Sequence, residues 1–428
     1  MKIKFTNSLL WFAVLFPALI SSCTDDCTQT QTYKTTVSFQ IGQESLSSNI
    51  KLLAAQELKN PGKIYTYGNY LFINETKKGI HIIDNSNPES PKNLSFIQIP
   101  GVIDIAIKDQ SLYADNYTDL VVLDISNISA IKEKSRLKNM FTNGLVDGLS
   151  WYFDPYSKII TDYEYKMVTR TTKTNCGNNQ GIWPVNRGGN LDYVAFNSSG
   201  GTSGTVATTS GQGGSMARFT IVDDYLYTAT QQDLIVFNIK NSEKPDSINK
   251  IKLGWGVETI YPYQDKLFIG SNTGMYIYDN ANREKPERLS VFQHVRACDP
   301  VVVEGNRAYV TLREGWCGAA PNRLDVLDVT NLTNPFILKS YEMQNPHGLS
   351  ILANTLTVCE GTFGLKSYNA ADPMDLKLTQ HIKDINAYDV IQLSTNHLLM
   401  IGKDGLYQYN NSDKSNLKLL SKITVNRD

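Results

Sequence analysis

The stretch DLVVLDISN, residues 119–127, places four consecutive apolar residues between two aspartates and ends in a turn-forming Ser-Asn pair. Six other stretches share this design, a short strand-like run followed by Asp or Asn and then a turn. They begin at Gly79, Asp233, Gly274, Arg323, Gly364 and Gly405. The start-to-start spacings along the chain are 40, 114, 41, 49, 41 and 41 residues. A period near 40 residues indicates a repeat architecture.

One period contains the signals of four short strands. In residues 63–99 the segments KIYTY and YLFINE flank a Gly-Asn turn, GIHIID follows, and a Pro- and Asn-rich turn precedes KNLSFIQI. Four antiparallel strands that recur at this spacing are typical of a propeller blade. The sequence therefore predicts an all-β fold, a seven-bladed β-propeller, over residues 46–428.

The apolar run of each copy is expected to be the third strand of its blade. Neighbouring blades would cover both faces of such a strand, so its residues need not alternate between apolar and polar. The Asp or Asn that follows can accept a hydrogen bond from its own backbone and so begin the turn.

The repeats resemble the LVIVD-repeat family of bacterial β-propellers. The resemblance covers residues 63–425 and is clearest from residue 216 onward. It is carried by the phrases GGSMARFTI (213–221), HVRACDPVV (294–302), YVTLREGWCGA (309–319), NPHGL (345–349) and DINAYDV (384–390). The family implies a propeller on the cell surface or in the periplasm, and it implies no settled activity.

The pattern is interrupted once, between the second and third copies. The second and third copies begin 114 residues apart, well over one period. We interpret the excess, residues 139–214, as an insertion between blades two and three. An eighth blade is the alternative. The second half of the insertion is rich in Gly, Ser and Thr, as loops are. Its first half carries six aromatic residues, which could form a recognition flap or pack back onto the ring: Trp151, Tyr152, Phe153, Tyr156, Tyr163 and Tyr165.

The amino terminus has the features of a bacterial lipoprotein. Residues 1–22 contain two lysines, an apolar run of twelve residues and the ending LISS before Cys23, which resembles a lipobox. We expect a lipid on Cys23, outer-membrane attachment facing outward, and a tether over residues 23–45; a plain secretory signal cut nearby is the alternative. Residues 35–41, TTVSFQI, could add an outer strand that closes the ring.

Charged residues gather where the first strand of each blade begins. With a formal net charge of -1 and 19% charged residues, no overall basic field favours nucleic acid. Aligning the blades nevertheless places one ionisable residue at each of these positions: Lys63, Asp104, Arg218, Glu258, Asp299, His347 and Asp389. First strands line the central channel of a propeller, so these residues would surround one mouth of it. They could simply line a water-filled channel, or bind a sugar, peptide or other polar ligand. A Ca²⁺ ion held by the carboxylates is a further alternative, although no loop has a dedicated Ca²⁺ spacing.

Catalytic signals are sparse. His347 could act as a general base with Asp299 or Asp389, or be a hydrogen-bonded channel residue. Cys298 and Cys317 are placed for a disulfide across a hairpin, and Cys359 is expected to be a buried free thiol, whereas Cys27 and Cys176 remain unassigned. No metalloprotease, nucleophile-elbow or P-loop motif occurs, so neither a catalytic residue nor a bound metal is assigned.

The expected function is binding. We expect a monomeric, lipid-anchored propeller that recognises a polar ligand or an envelope protein at its channel mouth and uses no cofactor. A hydrolase or lyase at the same mouth and a scaffold for envelope proteins are the alternatives, because the fold alone does not decide among them.

Overall fold

The computed structural model describes residues 26–146, 148–175, 211–297, 300–314 and 321–426. Thirty-four strands, numbered β1–β34 along the chain, form eight separate sheets in this part of the protein.

Seven sheets carry the seven sequence repeats. Repeat one contains β2 (Lys51–Ala54), β3 (Pro61–Tyr67), β4 (Tyr70–Glu75), β5 (Gly79–Asp84), β6 (Lys92–Gln98) and β14 (Gln212–Gly213). Repeat two contains β7 (Ile105–Lys108), β8 (Ser111–Asn116), β9 (Asp119–Asp124) and β10 (Lys132–Leu137). Repeat three contains β15 (Phe219–Val222), β16 (Tyr225–Ala229), β17 (Asp233–Asn238) and β18 (Asp246–Lys252). Repeat four contains β19 (Val257–Tyr263), β20 (Lys266–Ser271), β21 (Gly274–Asp279) and β22 (Glu287–Gln293).

Repeat five contains β23 (Val301–Glu304), β24 (Arg307–Leu312), β25 (Arg323–Asp328) and β26 (Phe336–Glu342). Repeat six contains β27 (Leu349–Leu352), β28 (Thr355–Cys359), β29 (Leu365–Asn369) and β30 (Lys377–Ile382). Repeat seven contains β31 (Ala387–Ser394), β32 (His397–Gly402), β33 (Gly405–Asn410) and β34 (Lys418–Thr424). Each repeat is an antiparallel meander in chain order, and in repeat one the short strands β14 and β2 extend the two edges. The all-β prediction and the four-stranded unit are confirmed.

The turn after the third strand is the same in every repeat. The Asp or Asn that ends the strand accepts a hydrogen bond through Oδ1 from the backbone N–H two residues later, at 2.8–3.0 Å. A second Asp or Asn, three residues further on, does the same at 2.9–3.1 Å. A bulge then interrupts the pairing of the third and fourth strands in all seven repeats, which increases the local twist.

The third strands are buried, as the apolar runs predict. Leu120, Val121, Val122 and Leu123 of β9 are fully shielded from solvent. The fourth strands, such as β18 and β26, are half-buried or exposed because they lie at the sheet edges. Large side chains including Phe72, Tyr113 and Phe268 fill the space between sheets, and burial of each contributes roughly 1.5–3 kcal/mol.

Repeat seven meets repeat one through contacts that also occur elsewhere between consecutive repeats. The hydroxyl of Ser290 in β22 donates to the carbonyl of Leu332 in repeat five at 2.7 Å. Ser421, in β34, donates in the same manner to Pro88 of repeat one at 2.6 Å. A parallel bridge between Leu58 and Val425 adds to this contact. The repeats therefore form a closed arrangement, a β-propeller.

The eighth sheet combines strands from residues 143–175 with the amino-terminal strand. Its strands are β1 (Asp26–Gly42), β11 (Asn143–Val146), β12 (Leu149–Asp154) and β13 (Ile159–Asn175), in the order β1-β13-β12-β11. Residues 26–42, expected to lie mostly in the tether, thus form a strand, because alternating Thr, Tyr, Val and Phe favour β-structure. Residues 35–41 were expected as a possible outer strand that closes the ring. They do form an outer strand, but it belongs to the eighth sheet. The outer edge of the repeat-one sheet is formed by β2.

The chain divides into two compact units, and most of the fold described above lies in the larger one. In the smaller, which includes residues 28–37 and 164–173, β1 and β13 are joined by hydroxyl contacts of Thr30 with Thr171 at 3.2 Å and Thr32 with Thr169 at 3.0 Å. The ammonium group of Lys34 lies 4.0 Å from the ring centre of Tyr165.

A short segment, residues 211–217, runs among the first strands of the propeller, and we call it the central segment. The N–H of Gly211 donates to Ile107 in β7 at 2.8 Å, and β14 pairs with β3. The hydroxyl of Ser215 accepts from the N–H of Leu349 in β27 at 2.9 Å, and the N–H of Ile260 in β19 donates to Ala217 at 2.6 Å. The segment therefore touches strands on opposite sides of the ring, so it occupies the middle of it.

Candidate functional site

Six of the seven ionisable residues singled out in the sequence are described, and each lies at or just before the start of a first strand. They are Lys63, Asp104, Arg218, Glu258, His347 and Asp389, and none is more than 5% exposed. The seventh, Asp299, lies outside the described residues. The central segment runs among the same first strands, and the hydroxyl of Ser215 in it donates to Asp389.

Two of the six residues neutralise each other. The ammonium group of Lys63 donates to Oδ2 of Asp104 at 2.5 Å, and both side chains are buried. The same oxygen accepts the backbone N–H groups of Arg218 at 2.5 Å and Phe219 at 3.0 Å. Burial lowers the pKa of Lys63, and the adjacent carboxylate offsets part of this effect. This pair thus holds the start of repeat three against repeats one and two, which is a structural role.

Asp115 joins this group, although no pattern in the sequence predicted it. Its Oδ1 accepts the N–H groups of Ile103 and Asp104, both at 2.8 Å. Burial raises the pKa of Asp115 to about 7, and the two hydrogen bonds and Lys63 limit the rise. Asp115 lies in the second strand of its repeat, so alignment of the first strands could not reveal it.

Arg218 is only partly hydrogen-bonded. Its Nη1 donates to the carbonyl of Leu145 in the insertion at 3.3 Å. Burial lowers the pKa of Arg218, and Glu258, Asp104 and Asp115 counteract that shift. Its remaining donors, Nε and Nη2, have no hydrogen-bond partner among the described residues. A buried guanidinium with unused donors is costly unless an acceptor is bound there.

Asp389 is tied to the central segment. Its Oδ1 accepts from the hydroxyl of Ser215 at 3.3 Å, and it is fully buried. The backbone of Gly348 lies against it: a Cβ on Gly348 would come within 2.0 Å of that Oδ1, so this position admits only glycine. Repeats six and seven are therefore joined to the central segment through one carboxylate and one hydroxyl.

His347 is a buried, neutral side chain. Its backbone N–H donates to Cys359 at 2.7 Å, and its ring packs edge-on against Tyr388 at 5.4 Å between centroids. Burial and the nearby Arg313 hold its pKa well below the usual value. Within the described part of the chain, its Nδ1 has no hydrogen-bond partner. This environment fits a structural histidine better than a general base.

The next features are the cysteines and possible metal ligands of the described residues. Cys359 is a fully buried free thiol, as predicted, and burial raises its pKa well above the usual value. The lipidation residue Cys23 and the expected Cys298–Cys317 disulfide lie outside the described residues. Over the described ranges, no group of three or more His, Cys, Asp or Glu side chains could hold a metal ion. Those ranges also contain no helix long and apolar enough to cross a membrane.

Aromatic residues flank the charged group on its exposed side. Trp255 is 61% exposed on the link between β18 and β19, three residues before Glu258. Phe363 is 47% exposed on the link between β28 and β29, where the backbone of Gly361 lies against the ring of His347. Neither aromatic residue was predicted from the sequence. The Gly-Trp-Gly triplet at 254–256 was an available signal, because glycines on either side leave a large side chain projecting from a turn.

The aromatic residues of the insertion were expected either to form a recognition flap or to pack onto the ring, and they differ in this respect. Trp151 is 1% exposed and packs edge-on against Tyr117 at 5.3 Å, so it does pack onto repeat two. Tyr156 is 96% exposed, and Tyr152 and Tyr165 are partly exposed. The packing interpretation therefore holds for Trp151 and not for Tyr156.

Comparison with known proteins supports the repeat and the fold. Residues 62–97, 102–138 and 296–343 match the LVIVD repeat. The structure is similar to that of a functionally unknown protein from Desulfotomaculum acetoxidans DSM 771, with 11% identity and a TM-score of 0.52, over 83% of this chain and 95% of that one. It is also similar to the computationally designed protein Ika8, with 9% identity and a TM-score of 0.50, over 87% of this chain and 92% of that one. At such low identity these similarities show the fold alone. No curated protein matches the chain in sequence.

Proposed function

Since this chain is a β-propeller that carries LVIVD repeats, consistent with the LVIVD-repeat propeller family, we propose that it is a lipid-anchored binding module of the cell envelope. It recognises a polar ligand or protein partner at the end of the propeller where the first strands begin. The observation that carries this proposal is the combination of a buried charged group, in which Arg218 keeps unused donors, with exposed Trp255 and Phe363 on the same side. Aromatic faces and charged hydrogen-bond donors together suit recognition of polar ligands.

In this proposal seven blades form the ring and the eighth sheet is an insertion, not a blade. The support is that repeats two and three touch directly. The strand β7 lies against β15, and Lys108 donates to the carbonyl of Asp223 at 2.7 Å and also pairs with the carboxylate of Asp224. A blade between these two repeats would separate their first strands.

The proposed location is the outer membrane, facing outward, with a lipid on Cys23 as the anchor. The support is the sequence alone, the lipobox-like LISSC that ends at this cysteine. Mass spectrometry of the membrane form should find the mature chain beginning at a diacylated Cys23. A mature chain beginning at another residue, without lipid, would contradict the anchor and leave a secreted protein.

No catalytic reaction is assigned in this proposal. A hydrolase or lyase would need an acid or base able to exchange protons near neutral pH. His347 is held neutral by burial, and its ring packs against Tyr388. Asp115 has a pKa of about 7, but its Oδ1 already accepts two backbone N–H groups.

A scaffold for envelope proteins is the second candidate, and a band of exposed apolar residues favours it. Five fourth strands carry such a residue within their first three positions, where it is 36–54% exposed: Leu94, Ile248, Phe336, Leu378 and Leu419. Apolar residues repeated along open sheet edges are suited to protein contact.

A thermal-shift screen tests the binding proposal. The purified mature protein is melted with amino acids, mono- and oligosaccharides and short peptides, and a ligand of the folded state must raise Tm. A ligand of the proposed site should lose roughly tenfold in affinity with Trp255→Ala or Phe363→Ala, because each change removes an exposed aromatic contact. Phe336→Ala, which truncates an equally exposed ring on an outer strand, is the matched control and should not change affinity.

Two results would count against the binding site. Equal loss of affinity in Phe336→Ala would place the ligand elsewhere or reveal a general effect on the fold. No shift with any ligand, together with a cross-linked envelope protein at the outer strands, would favour the scaffold.

A further inference from the structure

A small cavity lies between repeat two, repeat three and the insertion, and we call it the Arg218 pocket. Its volume is about 30 Å³, and its lining includes Asp115, Asn143, Trp151, Arg218 and Gln231. It lies beside the charged group described above and belongs to no repeat by itself. The residues that line it are brought together only because the insertion folds back onto the start of repeat three.

Three buried N–H donors in the lining have no acceptor among the described residues. Two are Nε and Nη2 of Arg218, whose side chain is 5% exposed, and the third is Nε1 of Trp151, which is 1% exposed. Buried donors are nearly always paired in folded proteins, because each unpaired one costs the free energy of its lost hydration. Three of them at one cavity indicate that the cavity receives an acceptor.

The free donors of Arg218 have a geometry that suits an acceptor with two oxygens. Nη1 already donates to Leu145, so the free donors are Nε and Nη2, which lie along one side of the planar guanidinium. That side presents two parallel N–H bonds, the geometry that matches the two oxygens of a carboxylate. A lone water has two lone pairs and so could not accept from all three donors, the two of Arg218 and the Trp151 indole.

Gly144 keeps the indole accessible. A Cβ at this position would lie 2.3 Å from Nε1 of Trp151. Its φ is not positive, so glycine is required here for space and not for backbone conformation. Any larger residue would occupy the space in front of the third donor.

Two cations, Lys63 and Arg218, lie among the carboxyl groups of Asp104, Asp115 and Glu258. Burial raises the pKa of Asp115 to about 7, which reduces the negative charge that an added anion would meet.

The pocket's volume of about 30 Å³, counted for the centres of water-sized spheres, exceeds the roughly 10–15 Å³ that one water needs, so a small group such as a carboxylate has room. The remainder of a ligand would lie outside the pocket, on the side of Gln231, whose carbonyl accepts the N–H of Gly256 next to Trp255.

We propose that the Arg218 pocket binds the carboxylate group of a ligand, held by Nε and Nη2 of Arg218 and by Nε1 of Trp151. This inference rests on the proposed function, since it names the chemical class that the charged end recognises. A free organic acid and the carboxyl terminus of a peptide share this chemistry, and the experiment distinguishes them.

Isothermal titration calorimetry on the mature protein tests the proposal with matched pairs of ligands. Acetate is compared with acetamide, and a tripeptide that has a free carboxyl terminus is compared with its amide. We expect each acid to bind at least tenfold more tightly than its amide. Preference for the peptide acid over acetate would identify a peptide ligand, and similar binding of both would identify a free organic acid.

Variants connect the binding to the named donors. Arg218→Lys keeps the charge but removes the two-donor side, so it should weaken carboxylate binding at least tenfold. Trp151→Phe keeps the packing but removes one donor, and a three- to tenfold loss is expected; it also serves as the test if Arg218→Lys fails to fold. Arg283→Lys is the control, because Asp223 and Asp265 already pair with that guanidinium.

The outcomes separate this inference from the proposed function. Equal affinity for acid and amide, or unchanged affinity in Arg218→Lys and Trp151→Phe, would overturn the carboxylate assignment. If another ligand still bound in a manner sensitive to Trp255→Ala, the binding function would stand without it. If no ligand of any class bound, both would fail.

Discussion

Asp115 shows how one residue sets a pH dependence for the whole fold. Its pKa is about 7 in the folded protein because burial disfavours the charged carboxylate. In the unfolded chain it titrates near 4. Between these values the folded protein holds a proton that the unfolded chain has lost. The free energy of unfolding should therefore fall as pH rises through this window, by at most about 4 kcal/mol for the single group.

The variant Asp115→Asn tests this residue. An amide Oδ1 can still accept the N–H groups of Ile103 and Asp104, so the variant should fold and show a smaller decrease of Tm between pH 5 and pH 8 than the wild type. The comparison uses the difference between the two proteins, because the lowered pKa of His347 acts in the opposite direction. Asp124→Asn is the control: that turn carboxylate has a lowered pKa and titrates below this window. Parallel curves for wild type and Asp115→Asn would contradict the assignment.

At the scale of the element, glycine begins the third strand in three repeats and directly precedes it in a fourth, for a steric reason. A Cβ on Gly405 would lie 1.9 Å from the carbonyl oxygen of Ile423, and its φ of +135° is a conformation that other residues avoid. Gly405→Ala should therefore lower the free energy of unfolding by more than about 2 kcal/mol, measured by denaturant titration. Gly42→Ala, where φ is ordinary and no atom lies within 4 Å, should change it by a few tenths at most. Equal effects of both substitutions would show that contact with the fourth strand is unimportant.

Elements built from local contacts could be predicted from the sequence, and elements built from distant contacts could not. Turns after the third strands were predictable, because Asp84 or Asn238 needs only a backbone N–H two residues away. The first strands and their ionisable residues were predictable from the repeat. The central segment was not, because QGGSMA has no strand periodicity and its partners are distant in the sequence. Ser215 contacts Leu349 and Asp389, 134 and 174 residues away. The Arg218 pocket was missed for the same reason: Trp151 faces it from an insertion whose packing no local pattern indicates.

At the scale of the whole molecule, Ser215 joins repeats that are far apart in the chain. Ser215→Ala would leave the buried N–H of Leu349 without its acceptor and remove the hydroxyl that donates to Asp389. An expected loss of about 1–3 kcal/mol follows, measured as a lower midpoint of cooperative unfolding. Ser412→Ala, which removes an exposed hydroxyl that donates to the nearby Asn410, should have little effect. A midpoint unchanged in Ser215→Ala would mean that the central segment does not support the ring.

The position of the central segment also bears on the order in which the chain folds. Contacts within one repeat join residues near each other in sequence and can form early, whereas Ser215 must wait for repeats six and seven. Either the ring closes around the central segment, or the central segment inserts while the ring is still open. Refolding experiments should therefore show individual sheets protecting their amides quickly, while protection around residues 211–217 arrives last and at the rate of the slowest step.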